Sequence, residues 1–194
     1  MRRFEADTGT GVRTLYDGSG RLAAVIALGG GVDLFLAADR SYLDELSVPV
    51  DVTPVRGQRL RLVRSPAAAD VTLRALVEGA SRVSLPSDEA AAAGRVLRRT
   101  IGERAFTALE RRAVVRTTVT EVAADVGKLG AADYGFVWDT TWPEDPSLVE
   151  VPAVELSDAV GEVALGRLGG PPATAGLADA VVAALRDAPP EVQR

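Results

Sequence analysis

The amino-acid sequence predicts an α+β protein: an N-terminal antiparallel sheet or partly closed barrel, a long central helix, further strands and two short C-terminal helices. In the first third, apolar and polar residues alternate with period two between turn sequences, which is typical of antiparallel strands. After Pro66, apolar residues recur at spacings of three and four, which is typical of helices. We therefore expect residues 1–194 to form a single compact domain. The alternative is a division into a β-rich part (1–65) and a mixed helical part (66–194).

Three strands are predicted near the N-terminus. Residues 12–16 alternate moderately, and the turn sequence Asp-Gly-Ser-Gly at 17–20 leads into a second, more buried strand over 21–28. Three glycines end that strand, and residues 32–36 form the third. The sequence therefore predicts that residues 17–20 connect two antiparallel strands.

A helical turn and a hairpin follow. Residues 41–46 fit one turn of helix. Three valines over 48–52 alternate with Pro49, Asp51 and Thr53, and leucines alternate with arginines over 59–62, so period two is clear on both arms. Residues 54–57 supply turn chemistry, and we expect the two arms to pair.

Two helices are predicted in the middle of the chain. Ser65 caps a helix that begins at Pro66 and ends near Gly79. Ser87 caps a long helix that continues to Leu109, because apolar residues recur every three or four positions on one face. Its arginines, which include Arg95 and Arg99, lie largely off that face.

The last third mixes strands and helices. Residues 114–122 are mostly β-branched and are predicted as a strand, with a continuing helix as the alternative. The aromatic stretch from residue 133 and residues 148–154 are predicted as two further strands. One short helix is expected from Ser157 and another over 177–188.

Composition excludes several kinds of chemistry. The chain has no Cys and no His, so Ser-His-Asp triads, Cys-His pairs and thiolate metal sites are excluded. Catalysis would have to use carboxylates, Tyr, Arg, hydroxyls or the single lysine, Lys128. We therefore expect no metal and no cofactor, and the absence of Cys and His argues against an enzyme.

Charge is distributed unevenly along the chain. Residues 55–116 carry 13 basic and 6 acidic side chains, whereas residues 117–194 carry 4 basic and 13 acidic ones. The whole chain is acidic, with a formal net charge of −5. Basic and acidic blocks of this kind can meet across subunits or partners, where electrostatic complementarity sets partner choice.

The densest aromatic stretch is Asp-Tyr-Gly-Phe-Val-Trp-Asp-Thr-Thr-Trp, at 133–142. In a strand, Tyr134, Phe136 and Trp138 share one face, and we expect most of them to be core. Trp142 precedes a Pro- and acid-rich turn and has the best prospect of exposure. The candidate binding residues are Tyr134, Trp138, Trp142, Arg95 and Arg99, and the nominal catalytic carboxylates are Asp139 and Glu144.

These observations favour a non-catalytic protein–protein interaction, assembly or regulatory module with a protein partner or self-association. The first alternative is a small-molecule binder, with carbohydrates among the candidate ligands, or a carboxylate-dependent enzyme that uses residues 133–145. The second is nucleic-acid binding through the Arg-rich middle, which the acidic net charge disfavours. The N-terminal residues turn acidic at Glu5, unlike a signal peptide, so we expect a bacterial cytoplasmic protein without a membrane partner.

Overall fold

The protein is represented by a computed structural model, which describes residues 2–140, 146–170 and 173–187. Within these ranges the helices are α1 (Arg2–Thr8), α2 (Ser19–Ala27), α3 (Ser41–Asp44), α4 (Leu73–Glu78), α5 (Ala92–Ile101), α6 (Glu103–Glu110), α7 (Val119–Gly127) and α8 (Ala173–Asp187), with a short 3-10 helix at Val154–Leu156. The strands there are β1 (Leu34–Ala37), β2 (Asp51–Arg64), β3 (Val83–Pro86), β4 (Val114–Arg116), β5 (Tyr134–Trp138), β6 (Val149–Val151) and β7 (Val160–Arg167). This combination of helices with an open seven-stranded sheet confirms the predicted α+β class.

The strands follow the order β1-β7-β2-β5-β3-β4, and β6 pairs with β2 beside that path. β1 is antiparallel to β7, and β2 is antiparallel to both β5 and β6. β3 is parallel to both β4 and β5. Parallel neighbours need crossover connections, and α5 with α6 and then α7 supply them.

The chain folds as two compact units. Among the described residues, one unit comprises those within 2–56 and 162–187, and the other comprises those within 57–161. The long strand β2 contributes residues to both units. The predicted domain organisation, a single domain over residues 1–194, stays a prediction.

The first unit has a small aliphatic core. Val163 and Leu165 of β7 pack with Val182 of α8 in one buried cluster. The helix predicted over 177–188 is confirmed, although it begins earlier, at Ala173. Its apolar positions are spaced for one helical face, which is the face that this cluster buries.

The second unit is built around β5, of which every residue is buried. Val137 of β5 packs with Val63 of β2 and Val122 of α7. Each fully buried side chain of this size stabilises the unit by roughly 1.5–3 kcal/mol. Helix α7 is therefore held on the sheet by its apolar face.

Several predicted elements agree with the structure. The strand predicted over 32–36 is β1, and the helical turn at 41–46 is α3. The aromatic strand is β5, and the strand predicted over 148–154 contains β6. These segments have short, clear patterns bounded by turn residues.

The strand predicted over 21–28 is wrong, because this segment lies in α2 and its C-terminal cap. Residues 22–28 are all apolar, and such a run fits a buried strand and a buried helix equally well by periodicity. Residues 12–16 are not part of a strand. The Asp-Gly-Ser-Gly sequence at 17–20 therefore begins a helix and does not close a hairpin.

The predicted hairpin over 48–62 is also wrong. Residues 51–64 form the single strand β2, and φ at Gly57 is not positive. Its last residues, from Leu60 to Arg64, pair with β5. Both predicted arms have the same period of two, so alternation alone cannot locate a turn between them.

The helix and strand boundaries in the middle of the chain differ from the prediction. The long helix expected from Ser87 to Leu109 is interrupted at Gly102, where φ is 81° and favours glycine. The strand predicted over 114–122 is confirmed only for β4, and the alternative, a helix continuing from residue 112, is wrong because α7 is a separate helix that begins at Val119. The helix expected from Pro66 begins only at Leu73, and the segment after Ser157 forms β7, which is a strand.

Candidate functional site

The first unit presents an uncapped helix start at α2. Gly18 occupies the N-cap position and has no side chain that could accept a hydrogen bond. The backbone N–H groups of Ser19, Gly20 and Arg21 donate to no other residue in the part of the chain that the structure describes. Free N–H groups at a helix N-terminus, together with the helix dipole, attract anions.

Ser19 adds a buried hydroxyl to this helix start. The residue is 7% exposed, and its Oγ accepts a hydrogen bond of 3.1 Å from the backbone N–H of Ala38, directly after β1. Among the described residues, no acceptor receives the hydroxyl hydrogen of Ser19. A buried hydrogen-bond donor without an acceptor is costly unless a ligand or water receives it.

Asp39 fixes the loop that carries Ala38. Its buried carboxylate accepts hydrogen bonds from the backbone N–H of Ser41 at 3.1 Å and from the Ser41 hydroxyl at 2.5 Å. The carboxylate thus binds Ser41, the first residue of α3. The loop between β1 and α3 is consequently held against the start of α2.

A charged pair completes the helix start. The carboxylate of Asp17 accepts a hydrogen bond of 2.8 Å from the backbone N–H of Gly18, and it pairs with Nε of Arg21 at 3.2 Å. The Arg21 side chain is 59% exposed and that of Asp17 is 26% exposed. We call the set Asp17, Ser19, Gly20, Arg21 and Ala38 the α2 site.

The second unit has a topological switch point at the carboxyl ends of its parallel strands β3 and β5. The chain leaves β3 towards β4 on one side, whereas β5 leads to β6, which pairs with β2 on the other side. Two neighbouring strands whose connections diverge in this way form a switch point, where α/β proteins bind ligands. Ser87 and Trp138 lie at this end of β3 and β5.

Helix α5 begins at this switch point without a side-chain cap. The N–H groups of Ala92 and Ala93, both buried, donate to no other residue within the described ranges. A Cβ atom on Gly94 would lie 2.3 Å from the carbonyl oxygens of Pro86 and Ser87. Only glycine therefore lets α5 begin this close to the end of β3.

The start of α7, in contrast, is satisfied by the protein itself. Thr118 and Glu121 form a capping box, in which Glu121 also accepts from the backbone N–H of Thr117 at 3.1 Å. Burial of this carboxylate opposes ionisation, but hydrogen bonds from the hydroxyl and amide groups of Thr117 and Thr118 outweigh it and lower the pKa of Glu121.

A buried ion pair ties α7 to two strands. Asp125 of α7 accepts hydrogen bonds from Arg116 at the end of β4 and from Ser84 of β3. The hydrogen bonds from Arg116 lower the pKa of Asp125; burial opposes this shift, and the bond from Ser84 supports it. The pair holds β3, β4 and α7 together.

An open groove of about 700 Å³ lies elsewhere on the second unit, between β2, β6 and the 3-10 helix. Two of its charged side chains, Arg61 and Glu150, pair with each other at 3.2 Å. Much of its lining is aliphatic. The groove therefore has few polar groups ready for a ligand.

The predicted aromatic residues are mostly core. Tyr134 and Trp138 are buried in β5, and the Tyr134 hydroxyl donates to the carbonyl of Ala69 at 2.7 Å. Phe136 is buried too, which confirms its predicted place in the core. Trp142 and Glu144 lie outside the described residues. Binding by Tyr134, Trp138 and Trp142 stays a prediction.

The remaining predicted site residues are charged. Asp139 is exposed and accepts a hydrogen bond of 2.9 Å from the backbone N–H of Arg59, so it ends the pairing of β5 with β2. Arg99 donates to the carbonyl of Val160 at 3.3 Å, and Arg95 is half-buried on α5. The catalytic role of Asp139 and Glu144 and the binding role of Arg95 and Arg99 stay predictions.

The α2 site was missed by sequence reasoning. Gly-Ser-Gly ahead of an apolar run was read as a hairpin turn, although the same residues suit the start of a helix. Among the described residues, no group of three or more acidic side chains could hold a metal ion. No described helix is both long enough and apolar enough to cross a membrane.

Residues 1–189 match the family model described as bacterial extracellular solute-binding protein. A search of curated proteins by sequence gives no match. Solved structures share the fold. They include a periplasmic molybdate-binding protein from Azotobacter vinelandii, with 18% identity, 96% of this chain and 86% of that chain covered, and a TM-score of 0.67.

Two further solved structures are similar. Iron-bound HitA from Pseudomonas aeruginosa has 16% identity, covers 99% of this chain and 76% of its own, and gives a TM-score of 0.65. For a periplasmic thiamin-binding protein, the identity is 18%, the match covers 96% of this chain and 71% of that chain, and the TM-score is 0.69. At these identities the similarity establishes the fold alone.

The family match corrects three predictions. The main functional prediction, a protein–protein interaction, assembly or regulatory module, is wrong, and so is the expectation of a protein partner or self-association as its main role. The cytoplasmic location is wrong as well, because the family is extracellular. The small-molecule alternative agrees with the family, whereas the nucleic-acid alternative does not.

Proposed function

We propose, because the chain belongs to the family of bacterial extracellular solute-binding proteins, that it captures a small oxygen-bearing anion outside the cytoplasm and delivers it to a membrane transporter. The observation that supports the choice of anion is the α2 site. Three free backbone N–H groups and the unused hydroxyl hydrogen of Ser19 lie at the start of one helix.

The free groups of the α2 site are hydrogen-bond donors. The carboxylate of Asp17 in the site and that of Asp39 beside it already receive hydrogen bonds, from Gly18 and Ser41 respectively. A bound cation would need acceptors, whereas an oxyanion accepts from every one of the free donors. The hydrogen-bonding balance of the site therefore favours an anion over a metal ion or an organic cation.

The second unit offers donors of the same kind. The free N–H groups of Ala92 and Ala93 favour anion binding at the switch point, where β5 ends at Trp138. In this proposal Trp138 serves as a fluorescence reporter of binding. The predicted binding role of the aromatic stretch is retained as part of the proposal.

A ligand panel tests the proposed function. Thermal unfolding would be followed with molybdate, tungstate, sulfate and phosphate, and with thiamin and ferric ion as ligands of other chemistry. An anion at 100 times its Kd should stabilise the folded protein by about 2.7 kcal/mol. Stabilisation by thiamin or ferric ion, with none from the four anions, would contradict the anion assignment.

Ser19→Ala supplies the site-specific comparison. Removing the hydroxyl should weaken anion binding by roughly 10- to 100-fold, because a hydrogen bond to a charged group contributes about 1.5–3 kcal/mol. Ser157→Ala is the matched control, since Ser157 is exposed and lies in the second unit. Equal affinities for the two variants and the wild type would place the anion elsewhere.

A further inference from the structure

The open groove on the second unit lies where the chain leaves the sheet and returns to it. Val151 of β6 pairs with Leu62 of β2, and the carbonyl of Ala159 accepts a hydrogen bond of 2.9 Å from the backbone N–H of Leu60. Residues 152–158, which include the 3-10 helix, leave β2 between these two points. The groove of about 700 Å³ lies between this segment and β2, and its volume is within the range of small-molecule sites.

The segment beside β2 gives the groove an apolar wall that is open to solvent. Leu156 is 5% exposed and anchors the segment in the core. Pro152 and Val154, which also line the groove, are exposed, and the exposed fraction of Val154 is 84%. An alkyl chain in the groove would remove apolar surface of Val154 from water, which is the favourable step in apolar binding.

Among the residues that line the groove, one charge is unpaired, and it is positive. Side chains alternate along β2, so Arg59 and Arg61 project to the same face. Arg61 pairs with Glu150 of β6 at 3.2 Å, and these two charges neutralise each other. Arg59 is exposed, and its guanidinium has no acceptor among the described residues, since only its backbone groups bond to Asp139. The charge balance of the lining therefore favours a ligand with one negative charge.

We propose that this groove is a second ligand site, which binds an alkyl carboxylate. The carboxylate pairs with Arg59 through the two parallel hydrogen bonds that a guanidinium offers, and the alkyl chain lies against Pro152 and Val154. A small inorganic oxyanion lacks the chain, and an alcohol of the same length lacks the charge, so neither matches both features. Every lining residue belongs to the second unit, so the site is separate from the α2 site.

A chain-length series tests the apolar half of the site. Calorimetric titrations would use hexanoate, octanoate and decanoate, each below its micellar concentration. Each added CH₂ that enters the groove should tighten binding roughly threefold to fourfold. Decanol has the chain without the charge and should bind about threefold more weakly than decanoate. Equal affinities for hexanoate and decanoate would overturn the inference.

Two variants separate the charge from the apolar contact. Arg59→Gln should weaken decanoate binding about threefold or more and leave decanol binding unchanged. Val154→Asp should weaken decanoate binding roughly 10-fold, because it removes apolar surface and adds a like charge. Arg104→Gln is the matched control, since Arg104 is exposed on α6 and has no ion pair among the residues that the structure describes. The control should bind decanoate like the wild type.

The outcomes are independent of the proposed function, which is read from the oxyanion titrations and from Ser19→Ala. The inference is overturned if decanoate does not bind, if Arg59→Gln binds it as tightly as the wild type, or if Arg104→Gln loses as much affinity, since net charge would then explain the loss. Arg59 and Val154 are exposed, so both variants should melt like the wild type. Should Arg59→Gln melt at a lower temperature, Val154→Asp decides alone: unchanged binding overturns the inference.

Discussion

The carboxylate of Asp125 accepts two hydrogen bonds from the guanidinium of Arg116, 2.7 Å from Nε and 2.8 Å from Nη2. The Asp125 side chain is 1% exposed, and the Ser84 hydroxyl donates to it at 2.7 Å. Three elements of the second unit thus meet at one buried charge. Removing either partner of such a pair costs far more than removing a pair on the surface.

Asp125→Asn should destabilise the protein by about 2–3 kcal/mol, because the amide replaces charged hydrogen bonds with weaker ones. Urea denaturation would measure the free energy of unfolding. Asp133→Asn is the control, since Asp133 forms a similar two-point contact with Arg82, but on the surface. The control should lose less than about 1 kcal/mol, and equal losses would contradict the structural role of burial.

Stability should fall when the solution becomes acidic. The pKa values of Asp125, Glu121 and Asp133 are lowered in the folded protein, so the unfolded chain binds more protons at low pH. Their stabilisation is complete above the unfolded-state pKa values and is lost as pH falls through the folded-state values, below about pH 4. Melting temperatures against pH would test this, and Asp125→Asn should give a shallower acid decline than the wild type.

Substitution by alanine should have opposite effects on stability at two helical glycines, Gly94 and Gly176. In Gly94→Ala, the new Cβ would meet the backbone oxygens of Pro86 and Ser87, which cannot move without disturbing β3, so a loss of about 1–3 kcal/mol is expected. Gly176 of α8 has no atom within 4 Å of the equivalent position. Gly176→Ala should therefore stabilise the protein by roughly 0.5–1 kcal/mol. Thermal unfolding of both variants would measure these changes, and an unchanged or raised melting temperature for Gly94→Ala would contradict the close approach of α5 to β3.

The capping box of α7 should contribute measurably. Thr118→Ala removes the acceptor for the Glu121 N–H, for which about 1 kcal/mol is expected. Thr120→Ala, at an exposed position of the same helix, is the comparison and should change stability little. Chemical denaturation of the two variants decides whether the threonine hydroxyl acts as a cap.

Local sequence patterns could predict β5, α3 and α8, because each has a clear period and turn residues at its ends. They could not separate helix from strand over 21–28, where every position from Leu22 to Leu28 is apolar. Nor could they place the parallel pairing of β3 with β4 and β5, which depends on contacts far apart in sequence. Turn sequences were also ambiguous, since residues 17–20 begin a helix and residues 54–57 lie inside the strand β2.

The α2 site shows the same ambiguity at the level of function. Its Asp-Gly-Ser-Gly sequence suits a hairpin turn and a helix N-terminus, and the long-range contact of Ser19 with Ala38 decides between them. Tyr134 and Trp138 are predicted as binding residues because the few aromatic residues of the chain cluster around them. In the structure, both side chains are buried in the core. Backbone N–H groups carry no sequence signature, so a site built from them is hard to predict.

The most direct measurement is a titration of the ¹⁵N-labelled protein with molybdate and with sulfate, followed through the backbone amide signals in two-dimensional NMR spectra. The amide signals of Ser19, Gly20 and Arg21 should shift and saturate with at least one of these anions, because their N–H groups would become hydrogen-bonded to it. Unmoved signals at these three residues, with shifts confined to the groove beside Arg61 and Glu150, would contradict the assignment of the solute to the start of α2.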